Sequence, residues 1–160
     1  MNINGKPCIV LTDYRGFYPT LWFALVHELS HVLFDFSEIE SNSFHISEKG
    51  NEELTVDTKE EEANKFAREF LFSNSKLEEV KPHMTNEKFI YQFAEKSHIH
   101  PSFIYLFYAY DLGNRNSKAW ERAKKNNPDF QALVEQIDNP WNNLIPMKDY
   151  IKIIKKKIYN

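Results

Sequence analysis

The chain is a succession of apolar segments of helical period separated by short polar stretches, with one strand-like run at its start. Residues 7–12 (PCIVLT) are nearly unbroken apolar and predict a short buried strand. Residues 13–16 (DYRG) predict a turn, and Phe17 and Tyr18 the start of a returning strand. In residues 21–33 (LWFALVHELSHVL) the apolar positions Leu21, Phe23, Ala24, Leu25, Val26, Leu29, Val32 and Leu33 cover almost the whole circumference of a helix. That distribution predicts burial on all sides. Thr20, preceded by Pro19, is the expected N-cap, and the helix is expected to stop near Asp35.

A polar, acidic region follows from 35 to 57, read as solvated surface, in which 43–47 (SFHIS) alternates like a short edge strand. Residues 59–72 (KEEEANKFAREFLF) predict a second helix, with a stripe of Ala63, Phe66, Ala67, Phe70 and Leu71 and a capping box from Thr58 to Glu61. Further helices are expected over 86–97, capped by Thr85, and from Pro101 or Ser102 through Asp111, ended at Leu112–Gly113. Two short helices, 117–127 and 129–137, are broken by Pro128, and 147–159 (MKDYIKIIKKKIY) reads as a basic amphipathic helix. The expected fold class is α+β, mostly helical with a small N-terminal β-sheet. The chain is expected to be one domain over 1–160, with 114–160 a helical C-terminal extension.

Composition narrows the function. The 160 residues are 42% hydrophobic, so a packed core is expected rather than disorder. Thirteen Phe and eight Tyr point to a core filled by rings. The net charge of −3 gives no nucleic-acid footprint to the whole molecule. The pair of helices over 86–111 has a helix–turn–helix outline, but its second helix is aromatic where a recognition helix offers Arg, Lys, Asn or Gln. Direct nucleic-acid binding is therefore not expected, and the lysine face of 147–159 reads as an ordinary solvated face. The single Cys8 excludes an internal disulfide and a cysteine-rich metal site. MNINGKPC does not have the pattern of a signal peptide, and no apolar run is long enough to span a membrane. A reducing cytoplasm fits these features.

The candidate chemistry lies in His27, Glu28 and His31, spaced H-E-x-x-H. Residues four apart share a helix face, so the two imidazoles can address one metal ion. From its adjacent position Glu28 can take the proton of a metal-bound water and act as general base. A third, carboxylate ligand would leave one position of a tetrahedral zinc open for that water. On the second helix Glu60 lies nearest the buried stripe, Glu61 points away and Glu62 is intermediate, which makes Glu60 the right kind of third ligand. Asn64, one turn on, can hydrogen-bond a ligand imidazole. His45, His98, His100 and the tyrosines are candidates for stabilising an oxyanion, and the sequence does not choose among them. The reaction class is amide hydrolysis without a covalent enzyme intermediate.

HELSH in an apolar helix, followed by E-x-E-A-N-x-F-A over 60–67, resembles the ImmA/IrrE family of zinc metallopeptidases. The lead-in KPCIVLT and the later FAEKSHIHPSFIY are similar to the peptidase-like domain fused to some helix–turn–helix regulators and HigA-type antitoxins. The resemblance covers roughly residues 6–111. It implies a compact zincin-like α+β fold, with His27, His31 and Glu60 as zinc ligands, Glu62 as second choice, and Glu28 as catalytic base. It implies a zinc-dependent metallo-endopeptidase whose substrate is a specific partner protein, a helix–turn–helix transcriptional repressor. The other function it implies is a non-catalytic, antitoxin-like regulatory domain that retains the site. Ser30 stands where the family has Gly or Ala, and Ser73 where Pro is common.

Overall fold

The structure, a computed structural model, describes residues 2–3, 6–11, 16–35, 54–113, 116–129 and 132. Its only strand pairing among these is a two-residue antiparallel ladder, β1 (Asn2–Ile3) against β2 (Lys6–Pro7), with Asn2 opposite Pro7 and Ile3 opposite Lys6. All other regular structure described is helical: α1 (Tyr18–Phe34), α2 (Leu54–Phe72), α3 (Asn74–Val80), a 3-10 turn (Lys81–His83), α4 (Glu87–Lys96), α5 (Pro101–Leu112) and α6 (Ser117–Lys125). Among the described residues the expectation of an α+β fold is thereby corrected to a helical one, with no sheet beyond this ladder. The apolar run after Pro7 has strand composition, but Cys8 to Leu11 pair with nothing among the described residues. Two paired residues cannot build a sheet with a buried face. The chain divides into two compact units, Met1–Pro128 and Asp129–Asn160, and every element named here belongs to the first. The expected edge strand over 43–47 and the helix over 147–159 lie outside the described residues, as does nearly all of the helix expected over 129–137. Among the described residues no helix is long and apolar enough to cross a membrane.

The centre of the first unit is α5. Its residues Ser102 to Phe107 and Ala109 are buried, which its apolar sequence on all sides demands. Phe72 of α2, Leu77 and Val80 of α3, Ile90 and Ala94 of α4, and Ala119 and Ala123 of α6 close around it. Phe107 meets Phe72, Phe103 and Phe23 at ring-centroid distances of 6.4, 6.1 and 6.4 Å, and the Arg68 guanidinium lies 4.1 Å above its ring. Burial pushes the Arg68 guanidinium below its ordinary value, against the pull of Asp111 and Glu69. The helix ends at Gly113, whose φ of 75° a residue with a Cβ adopts only with strain.

α1 behaves otherwise. Its buried residues are Pro19, Val26, His27, Ser30 and His31, while Leu33 and Phe34 are 65% and 69% exposed. The expectation of burial on all sides is corrected: part of the apolar surface faces out and a polar stripe faces in. The partner across that stripe is α2, which approaches through the buried small residues Ala63 and Ala67 and so leaves room for imidazole rings. On α2 the predicted stripe holds for these alanines but not for Phe70, which is 70% exposed.

Helix starts also differ from expectation. Thr20 lies inside α1, its Oγ1 donating to the Phe17 carbonyl at 2.7 Å, and Phe17 at the N-cap offers no side-chain acceptor. α2 begins at Leu54, so Thr58 is within the helix rather than at its N-cap; residues 54–57 contain no Gly or Pro to stop it. α3 is capped by Ser73, whose hydroxyl accepts from the Lys76 amide. Asn86 rather than Thr85 caps α4.

Candidate metal centre

The imidazoles of His27 and His31, one turn apart on α1, meet the carboxylate of Glu60 from α2. The two Nε2 atoms stand 3.3 Å apart. Glu60 Oε2 is 3.2 Å from His27 Nε2, and Oε1 is 3.3 Å from His31 Nε2. Among the described residues these three form a group whose ligand atoms lie within 4.8 Å of one another. His31 is 2% exposed and His27 7%. Glu62 is exposed and lines a cleft of about 230 Å³ with Phe34, Asp35, Lys59 and Phe66, so the structure brings Glu60 rather than Glu62 to the imidazoles. Glu28 sits half-buried on α1 next to His27.

The other ring nitrogens fix what Nε2 presents. His27 Nδ1 faces Asn64 Oδ1 at 3.1 Å, and His31 Nδ1 faces Asp35 Oδ2 at 2.9 Å. Both partners accept, so each Nδ1 carries a proton, and in that tautomer a ring turns the lone pair of Nε2 toward the other ring and toward the carboxylate. Lone pairs and a carboxylate converging in a buried place repel unless a cation or added protons join them. The donor set fits zinc: ligand atoms about 2.0–2.1 Å from a tetrahedral ion stand about 3.3–3.4 Å apart. The 3.3 Å between the two Nε2 atoms is of that size, and each imidazole faces its own oxygen of Glu60 at 3.2 and 3.3 Å.

The walls are built from both packing and polarity. Phe23, one turn before His27, lies against its ring at a centroid distance of 6.4 Å. Ser30 donates to the His27 carbonyl at 2.7 Å and is small enough for the seam with α2. Partial burial pushes the Asp35 carboxyl up, but hydrogen bonds from His31 and from Lys59, with their charge, hold it below its ordinary value. Lys59 Nζ stands 3.2 Å from Asp35 Oδ1.

Asp35 and Lys59 are the neighbours of the site that the sequence reading misses. The signal was present for Asp35, since His31-x-x-x-Asp35 places both on one helix face. Of the other candidates, His45 lies outside the described residues. His100 caps α5, with Ser102 on its Nδ1 and Tyr18 edge-on to its ring at 5.8 Å. His98 is exposed in the preceding turn at a φ of 55°. Neither is among the groups drawn to His27, His31 and Glu60. Comparisons with protein-family models, with curated proteins and with solved structures find no match.

Proposed function

We propose that the chain is a zinc-dependent metallo-endopeptidase that hydrolyses a peptide bond in a specific protein substrate. The observation that supports this most is the convergence of His27 Nε2, His31 Nε2 and the Glu60 carboxylate at tetrahedral ligand spacing, with Glu28 beside them on the same helix. His27, His31 and Glu60 would hold the ion, which when bound lowers the pKa of water and polarises a carbonyl. Glu28 takes the proton from the attacking water and delivers it to the leaving amine. Asn64 and Asp35 keep the two imidazoles turned so that Nε2 faces the ion. A helix–turn–helix repressor is the substrate class that the family resemblance supports. A reducing cytoplasm is the compartment that a chain with one, unpaired cysteine suits.

A second reading is a regulatory, antitoxin-like domain that binds a partner without cutting it. The outward-facing Leu33, Phe34 and Phe70 favour it, because exposed large apolar side chains on neighbouring helices suit a protein partner. The two readings separate on Glu28→Gln, which removes the base and leaves the metal ligands in place. New protein N-termini, counted by N-terminal labelling after the zinc-loaded protein is added to a cell lysate, are expected with the wild type. Glu28→Gln should lower their rate of appearance by about 10²–10⁴-fold. Equal rates, or no new N-termini from the wild type, contradict proteolysis.

A further inference from the structure

We propose that Asp35 is a positioning residue for the metal centre: with Lys59 bound to its far oxygen, its carboxylate holds His31 as the Nδ1-protonated tautomer with Nε2 aimed at the ion. This rests on the metal reading of His27, His31 and Glu60, and it adds a residue pair to it. The geometry is continuous. His31 Nδ1 donates to Asp35 Oδ2 at 2.9 Å, and Lys59 Nζ donates to Asp35 Oδ1 at 3.2 Å. Each carboxylate oxygen of Asp35, the C-cap of α1, thus has its own donor: His31 from α1 and Lys59, beside Glu60, from α2.

The two ligand imidazoles are held unequally. His27 has the neutral amide of Asn64 as its partner, whereas His31 has a carboxylate. A charged acceptor makes a stronger hydrogen bond and donates more electron density through the ring to Nε2. His31 is also the more deeply buried of the two. It therefore has less freedom to turn, and the charged acceptor at Nδ1 favours one orientation of the ring. Lys59 has a second effect: placed at both Asp35 and the start of the Glu60 turn, it ties the end of α1 to the stretch of α2 that carries the third ligand.

The test compares zinc affinity of the full chain by competition with a chelating indicator, using zinc ion alone as ligand. Asp35→Asn is nearly isosteric and is expected to weaken zinc binding by about 10–100-fold. Asp35→Glu, which restores the charge and acceptor, should recover part of the loss. Equal affinity of wild type and Asp35→Asn overturns the assignment to Asp35 and leaves the ligand set standing. A wild type that takes up no zinc overturns the metal reading itself. A variant that fails to fold does not stop the test, because the wild type alone carries a second readout. Long-range ¹⁵N–¹H NMR of the zinc-loaded chain should show the His31 proton on Nδ1 and the metal on Nε2, and zinc bound through Nδ1 contradicts the proposal.

Discussion

A single nitrogen of His100 serves two donors. Its Nδ1 accepts from the Ser102 amide at 3.2 Å and faces the Ser102 hydroxyl at 2.8 Å, and so caps the central helix. Burial holds its pKa below the ordinary 6.5. A group whose pKa is depressed by folding stabilises the fold above its unfolded pKa, and that stability is lost as pH falls through the lower, folded value. Protonation at Nδ1 also removes the acceptor that the cap needs. The melting temperature should therefore fall from about pH 6.5 downward, and less steeply in His100→Asn, which caps without titrating in this range. The other histidines contribute to both proteins alike, so equal slopes between pH 7 and pH 5 would contradict this role. At the proposed metal centre the clustered residues are legible because H-E-x-x-H and the phase of Glu60 against its stripe are local properties of two helices. Asn64 was legible for the same reason, one turn from Glu60. Asp35 was legible by spacing but looked like the end of a helix, and its link to Lys59 depends on how two helices cross.

At the scale of the element, α1 and α5 have nearly the same appearance in sequence, apolar almost all round. Only α5 is enclosed, because five elements bring side chains to it. Of the elements described, α1 packs mainly on α2 and less on α5, and it leaves Leu33 and Phe34 outside. The number of neighbours a helix acquires is a tertiary property, so periodicity could not tell the two apart. The start of α1 has the same origin. Its first turn is capped by a residue 109 positions away: Asn127 Oδ1 accepts from the Tyr18 amide at 2.9 Å, and Asn127 Nδ2 donates to the Gly16 carbonyl at 3.0 Å. Local pattern points to Thr20, since caps are sought next to the helix they close. Asn127→Ala is expected to destabilise the protein by about 1 kcal/mol, within the usual range for lost caps. Urea unfolding with an unchanged m-value would measure it, and a midpoint equal to that of the wild type would show that the bridge contributes nothing.

For the whole molecule, the sequence reading of a mostly helical chain agrees with the described residues, and the expected sheet does not. A strand is identified by its partner, and the run after Pro7 has none there beyond the two-residue ladder. The seam between α1 and α2 is where small residues allow two imidazoles and a carboxylate to meet, beside the ring of Phe23. Such a cluster opposes folding by itself, and a bound cation would offset that cost.

Elemental analysis of the purified chain, supplied with zinc, tests the proposed centre most directly when it is run beside Glu60→Ala and Glu62→Ala. About one zinc per wild-type chain is expected. Glu62→Ala should retain it and Glu60→Ala should lose it. A wild type without zinc, or a Glu60→Ala chain that keeps its full complement, would contradict the centre built from His27, His31 and Glu60.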